Sequence, residues 1–217
     1  MIDMDRLGAR RALAEHVFAA VGADASRRLG KPARFWLARE LDEPTLARML
    51  ELEAEIFTVE NNVYQRQDII DCVASEDAFL LLFAVEGRIE GYVFGYEEDA
   101  EYTAVEDTEY FVDTAVVSLA HQRLGVGRSA AILVFLVLYL AGYRRIGVTT
   151  QLRDKTGREL VRFYRELGFE DARHLDPEHY QDPLTRAMRI VLDARMLQPW
   201  LERLGSDADQ LTKDDAG

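Results

Sequence analysis

A strand-like run, a turn with two glycines and a long apolar helix candidate follow one another between residues 111 and 140. The strand candidate is residues 111–117, and the apolar run contains no helix breaker before Gly142. The turn between them consists of Gln122, Arg123, Leu124, Gly125, Val126, Gly127, Arg128 and Ser129. Such a turn points several backbone N–H groups at one place, and the helix dipole adds partial positive charge there. This stretch therefore predicts a cradle for a phosphate or diphosphate group.

The spacing of this turn is typical of a known family. The order Gln-x-x-Gly-x-Gly from Gln122 to Gly127, after an apolar strand, resembles the acyl-CoA signature of the GNAT acetyltransferases. Residues 163–169, Phe-Tyr-Arg-Glu-Leu-Gly-Phe, resemble the tyrosine helix and the Gly-Phe turn that follow in that family. The two motifs occur in the family's order, with a strand candidate at residues 145–150 between them. The resemblance covers roughly residues 33–193.

The resemblance implies an α/β (α+β) fold with a mixed, mostly antiparallel central sheet flanked by helices. The residue pattern agrees, because a strand, two helices and a hairpin precede the strand at residues 111–117. Both ends of the chain lie outside the resemblance. We predict an N-terminal helical extension, a GNAT-like domain, a C-terminal helix and a disordered polar tail at residues 1–32, 33–193, 194–205 and 206–217, respectively.

The same resemblance implies acetyl transfer from acetyl-CoA directly to a bound amine, without a metal ion or a covalent enzyme intermediate. Tyr164 would be the general acid, because a tyrosine hydroxyl with a pKa of about 10 is protonated at neutral pH. The pantetheine arm would pair with Ala115, Val116 and Val117 as an added strand. A backbone N–H near Val117 would bind the oxyanion, and the glycine turn would hold the diphosphate.

The general base is marked less clearly. The family's glutamate on the signature strand would fall near Phe111, whose side chain cannot exchange a proton. Glu109 and Asp113 lie two residues to either side, on the same predicted strand face, and either could deprotonate an ammonium group through water. The missing glutamate leaves a second interpretation open, in which a GNAT-like module binds an acyl-CoA but serves as a sensor or scaffold.

Composition limits the classes of partner. The chain has 39 Asp and Glu against 26 Lys and Arg, a net charge of −13, and so lacks the basic surplus that nucleic-acid binding requires. This charge is compatible with a cationic acceptor, either a small molecule or a protein amine. The single cysteine, Cys72, excludes an internal disulfide framework and a multi-cysteine metal site.

Two segments bear on where the protein is located: an apolar run and the acidic first residues. The apolar run at residues 130–141 is too short to cross a bilayer, and the acidic first residues do not suit a signal peptide. We therefore expect a cytoplasmic protein with no membrane partner.

Residues 97–109 carry seven acidic side chains, which form either a solvated loop or a rim that attracts an amine.

The helix predicted at residues 130–141 is apolar around its whole circumference. A helix of this kind is expected to be buried on every side. Because a sheet covers one side only, something else must cover the rest. Two alternatives remain: the chain's own terminal helices, including the one with Trp200, or a second subunit in a homodimer.

Overall fold

The computed structural model describes residues 1–57, 64–98, 104–154, 157–175 and 184–204. The strands are β1 Ala33–Leu37, β2 Phe79–Val85, β3 Arg88–Glu97, β4 Tyr110–Val117, β5 Arg145–Gln151, β6 Glu170–Asp171 and β7 Thr185–Val191. The helices are α1 Arg11–Leu29, α2 Glu43–Ile56, α3 Arg66–Ala74, α4 Val126–Ala141, α5 Leu160–Leu167 and α6 Ala194–Arg203. The predicted disordered tail and parts of the loops at residues 58–65 and 97–109 lie outside the described residues.

The seven strands form one sheet in the order β1-β2-β3-β4-β5-β7-β6. Every neighbouring pair is antiparallel except β4 and β5, which are parallel. The prediction of a mixed, mostly antiparallel sheet flanked by helices is confirmed. The parallel pair lies at the centre of the sheet. Because parallel strands need a crossover connection, α4, which links β4 to β5, crosses the sheet at its middle.

The β2–β3 hairpin has a two-residue turn, since Val85 pairs directly with Arg88. Glu86 and Gly87 both have positive φ angles, +50° and +83°. Two successive residues of this kind form the two-residue turn whose twist matches that of the flanking strands.

Helix α4 is enclosed on all sides along residues 133–140. It begins after Gly125 and ends at Gly142, both in the left-handed region, and every residue from 133 to 140 is buried. The sheet, α1 and α6 share one hydrophobic cluster with it. The Phe135 ring stacks on Trp200 of α6, with 6.0 Å between ring centroids. The terminal helices therefore cover α4, and no apolar face of residues 133–140 is left for a second subunit.

Helices α2 and α3 pack on the other face of the sheet. Their apolar side chains meet the second side of β2 and β3 in a separate cluster. Asp42 begins α2 by accepting a hydrogen bond from the Thr45 N–H, at 2.8 Å, with Pro44 in the first turn. The sheet thus separates two helical layers, with α4 in one and α2 and α3 in the other. Within the described residues, no helix is both long enough and apolar enough to span a membrane.

Removal of an α6 side chain from this interface is expected to destabilise the whole chain. Leu201 is 1% exposed in the cluster with α4, whereas Leu184 is 61% exposed. We expect Leu201→Ala to lower the free energy of unfolding by about 2–5 kcal/mol through the cavity it leaves. Leu184→Ala, the matched control, should change it by less than about 0.5 kcal/mol. Urea unfolding measures both, and equal effects would contradict the packing of α6 on α4.

Candidate active site

Strands β4 and β5 part in the middle of the sheet. They pair at Tyr110–Ile146, Phe111–Gly147 and Val112–Val148, and not beyond. Past this point β4 stays bonded to β3 as far as Val117, and β5 stays bonded to β7 as far as Gln151. A cleft therefore opens between the carboxyl ends of two parallel strands.

The parting begins at a β-bulge in β4. Thr114 pairs with Phe94 and Val112 pairs with Gly95, so Asp113 is an extra residue with no partner on β3. A Cβ atom on Gly95 would lie 2.4 Å from the Phe111 carbonyl oxygen, so only glycine fits opposite the bulge. Bulges commonly redirect a side chain beside a functional site. Here the bulge places Asp113 at the point where the cleft opens.

The glycine turn lies at the end of β4 and leads into α4. Arg123 and Gly125 have φ angles of +64° and +78°, which turn the chain sharply before the helix begins at Val126. The Gln122 side-chain amide donates to the Val117 carbonyl at 3.1 Å, which ties the turn to the strand. The first-turn amides of α4 have no acceptor within the helix, so they are available to an anion.

An arginine from the N-terminal extension fastens this turn. Arg28 of α1 donates to the Leu124 carbonyl and to Ser129 Oγ, both at 2.7 Å, and to Asp24 at 2.9 Å. A Cβ atom on Gly125 would lie 2.0 Å from Arg28 Nη1, so the glycine is also needed for this contact. No sequence motif marks Arg28, since nothing in its surroundings distinguishes it from other helix-end arginines.

Tyr164 lies on α5, beside the diverging end of β5. Its ring is half-buried and contacts Phe163 and Phe169 edge-on, at 5.5 and 5.4 Å between centroids. Its hydroxyl lies near the side chain of Thr150, two residues beyond the last β4–β5 pair. Burial raises the pKa of Tyr164, and the neighbouring Thr150 side chain opposes part of that rise. The hydroxyl therefore carries its proton at neutral pH.

Asp113 is held by three hydroxyl groups. Tyr64 donates to Oδ1, Thr114 donates to Oδ1 at 3.0 Å, and Tyr96 donates to Oδ2 at 3.0 Å. Burial raises the pKa of this carboxyl above its usual value, and the three hydrogen bonds oppose the rise. The side chain lies on the α2–α3 side of the sheet, since its partner Tyr64 packs against the apolar cluster of α2 and α3.

Glu109, the other predicted base, lies at the paired end of the two strands. Its Oε1 forms an ion pair with Arg145 at 2.8 Å, and its Oε2 accepts from the Arg144 N–H at 2.8 Å. It directly precedes Tyr110, which pairs with Ile146. The structure therefore brings only Asp113 to the cleft.

The structure also reveals Glu53, which no motif marked. This α2 residue is fully buried, and its Oε1 accepts a hydrogen bond from the Tyr92 hydroxyl. Its Oε2 has no hydrogen-bond partner among the described residues. Burial raises the pKa of Glu53 to about 7, and the charge of Asp113 adds to the rise. One signal was present: Glu53 follows Leu46 and Met49 at helical spacing on the core side of α2.

The acidic stretch before β4 is bound to the chain's own groups where it is described. Asp107 forms ion pairs with Arg145 at 3.5 Å and Arg189 at 3.2 Å. Glu98 accepts a hydrogen bond from Thr108. These side chains therefore neutralise neighbouring arginines or brace the connection. Among the described residues, no group of three or more His, Cys, Asp and Glu side chains could hold a metal ion.

The buried state of Glu53 makes stability depend on pH. Its pKa is higher in the folded protein than in the unfolded chain, so its contribution is favourable below about pH 4.5 and is lost as the pH rises through about 7. We expect Glu53→Gln to stabilise the protein by up to about 3 kcal/mol at pH 8 and by little at pH 4.5. Glu51→Gln, on the exposed side of α2, is the control. Urea unfolding at both pH values measures the difference, and a pH-independent difference would contradict the desolvation of Glu53.

Comparisons with known proteins bear on the fold. No protein-family model matches the sequence, and no curated protein matches it either. Solved structures do match. Ard1 from Thermoplasma volcanium aligns with a TM-score of 0.56 and 18% identity, over 73% of this chain and 98% of that chain. The GNAT domain of PAT from S. lividans aligns with a TM-score of 0.56 and 16% identity, over 76% of this chain and 93% of that chain.

A third structure contains a ligand. The PaiA N-acetyltransferase from Thermoplasma acidophilum, solved in complex with coenzyme A, aligns with a TM-score of 0.54 and 12% identity, over 73% of this chain and 99% of that chain. These likenesses agree with the topology described above, including the order of its strands and helices. The chain therefore has the fold of the GNAT N-acetyltransferases.

Proposed function

We propose that this protein transfers an acetyl group from acetyl-CoA to an amine. The parting of β4 and β5 is the observation that carries the proposal. It opens a cleft where the glycine turn, the first turn of α4 and Tyr164 meet at one end of the sheet. The fold shared with N-acetyltransferases, one of them bound to coenzyme A, supports it.

The cleft fits an extended thioester ligand on the α4 side. Ala115 is exposed and Val117 is half-buried, and past Val112 this edge of β4 does not pair with β5. An extended pantetheine arm would add to this edge as a strand does, contacting Ala115, Val116 and Val117. The diphosphate would lie at residues 122–129, where first-turn amides of α4 and the side chains of Arg123 and Arg128 offer positive charge.

The chemistry requires three groups in the cleft. Asp113, directly or through water, would take a proton from the ammonium group, so that the neutral nitrogen attacks the thioester carbonyl. A backbone N–H near Val117 would stabilise the oxyanion. The C–N bond forms as the C–S bond breaks, and Tyr164 would donate its proton to the departing thiolate sulfur. The second proton, lost from the nitrogen as the amide forms, would restore the Tyr164 hydroxyl. The products are the acetylated amine and coenzyme A.

A second candidate function is a module that binds an acyl-CoA without turning it over. Phe111 favours it, because this residue occupies the family's glutamate position and is 3% exposed in an apolar cluster with Val105 and Ala187. Thiol release from acetyl-CoA with a panel of amines separates the two candidates. Binding of coenzyme A with no thiol release from any amine would support the module.

Loss of the Tyr164 hydroxyl tests the catalytic proposal. We expect Tyr164→Phe to lower kcat by about 100-fold, because the thiolate must leave without a proton, and to leave the Kd for coenzyme A unchanged. The control is Tyr143→Phe, which removes a hydroxyl that donates to Glu97 on the surface. Thiol release gives the rates, and calorimetry gives the affinity. Equal rates for the two variants would remove Tyr164 from the mechanism.

Loss of the Arg28 side chain tests the glycine turn. We expect Arg28→Gln to raise the Kd for coenzyme A about 10-fold, because two charge-assisted hydrogen bonds to the turn are lost. Arg27→Gln removes the same charge one residue away, from a side chain that is 71% exposed and pairs only with Asp24 among the described residues. Calorimetric titration compares the two. An affinity loss shared by both variants would assign the effect to charge alone.

A further inference from the structure

A groove lies between α5, the start of β7 and the chain that follows β5. Its volume is about 230 Å³, and it is partly open to solvent. The described residues that line it are Leu152, Arg153, Glu159, Val161, Arg165 and Arg186. We call it the arginine groove, because half of these side chains are arginines. No step of the proposed acetyl transfer uses it.

The arginine groove is on the opposite side of α5 from the proposed coenzyme site. Val161 and Arg165 are four residues apart and so share one face of the helix. Phe163 lies two residues from each and points away from that face. A Cβ atom on Gly127 of α4 would lie 3.6 Å from the Phe163 ring. The face with Phe163 therefore meets the first turn of α4, and the groove faces away from it.

Backbone hydrogen bonds fix the walls of the groove. The Leu152 N–H donates to the Leu184 carbonyl at 2.6 Å, and the Leu160 N–H donates to the Leu152 carbonyl at 3.0 Å. The Arg153 guanidinium donates to the Gly157 carbonyl at 2.8 Å. These bonds tie the end of β5 to the residue before β7 and to the start of α5. A ligand therefore meets a groove that is already formed, which lowers the cost of binding.

The lining of the groove is positively charged. Guanidinium groups keep their charge at neutral pH, so the three arginines outweigh the single carboxylate of Glu159 among the described lining residues. This sign is opposite to that of the whole chain, whose net charge is −13. Between residues 153 and 165, the sequence has five basic residues and two acidic ones. The groove is therefore a local region of positive charge on an acidic protein.

Most of the hydrogen-bond donors in the groove are unused. An arginine side chain has five N–H donors in a planar arrangement. Arg153 uses one on Gly157, and Arg165 uses Nη2 on the two carboxylate oxygens of Asp171, at 3.1 and 2.9 Å. Arg186 has no hydrogen bond or ion pair with any described residue. These arginines can therefore bind a ligand without losing a contact within the chain.

The start of α5 adds to the positive charge. Val161 lies in the first turn of this helix, where N–H groups lack acceptors within the helix. That turn contains no acidic residue, and no side chain caps it. The positive end of the helix dipole therefore acts in the same direction as the arginines.

We propose that the arginine groove is a second anion site, separate from the turn before α4, and that its ligand carries a phosphate dianion. Three guanidinium groups and one carboxylate leave two positive charges in the lining, which a dianion balances. Phosphate oxygens also match the paired donors of arginine. The aliphatic side chains of Leu152 and Val161 offer contact to the carbon body of a phosphate monoester. The site does not depend on the proposed acetyl transfer.

Titration of ¹⁵N-labelled protein with sodium phosphate at pH 8 tests the site. The protein is first saturated with coenzyme A, so that the turn before α4 is filled. The amide signals of Arg153, Val161 and Arg186 should then shift to saturation, and sodium acetate at equal ionic strength should leave them in place. Glycerol 3-phosphate identifies the source: tighter binding than phosphate assigns the site to a phosphate monoester, and equal binding assigns it to free phosphate.

Three variants test the charges. We expect Arg186→Gln to raise the Kd for phosphate about 10-fold or more, and Glu159→Gln to lower it about 3-fold, because the two changes remove charges of opposite sign. The control is Arg162→Gln, also on α5, whose side chain is 76% exposed and pairs with Glu166 at 3.0 Å. It should stay within about 2-fold of the parent protein.

Three results would overturn the second anion site. They are equal affinities of Arg186→Gln and Arg162→Gln for phosphate, equal shifts with acetate, and displacement of phosphate from these residues by coenzyme A. A parent protein that does not bind coenzyme A would instead contradict the proposed function. In that case the phosphate titration without coenzyme A still tests the groove through the same amide signals.

Discussion

The structure is arranged around the point at which β4 and β5 stop pairing with each other. Two parallel strands in mid-sheet normally bond along their length, because unpaired backbone groups are costly when buried. Here β4 stays paired with β3 on both sides of the bulge, and β5 stays paired with β7, so the sheet holds together while its centre opens. The bulge at Asp113 makes the parting local, and Gly95 permits the bulge by allowing the two backbones to approach closely. Every proposed catalytic group is positioned relative to that opening.

The terminal helices support the same opening by packing against α4. A helix as apolar as α4 cannot face water, and α1 and α6 enclose it together with the sheet. Arg28 at the end of α1 then reaches the turn that begins α4. The N-terminal helix α1 therefore both helps to bury α4 and positions the turn at its start. Residues outside the resemblance to the GNAT family contribute directly to the candidate coenzyme site.

Local patterns in the sequence predicted the helices and strands well, but they did not predict contacts between residues far apart in the chain. Gly125 lies just before α4, and Gly142 and Gly168 lie just after α4 and α5. All three have left-handed backbone angles, as glycine at the end of an apolar helical pattern predicts. Arg28 could not be identified, because its partner Leu124 lies 96 residues away. The separation of Asp113 from Glu109 depends on strand register and on a bulge, neither of which is visible in one strand alone. Glu53 was detectable only as an acid at a core position.

The sheet separates two helical layers, each with its own apolar cluster. The proposed coenzyme contacts lie in the α4 layer, and Asp113 and Glu53 lie in the α2–α3 layer. Substitutions that lie far apart in the two layers are expected to add in their effects on stability. In the proposed acetyltransferase, preference for one amine over another can therefore change through α2 and α3, while the residues proposed to bind the acyl donor stay unaltered.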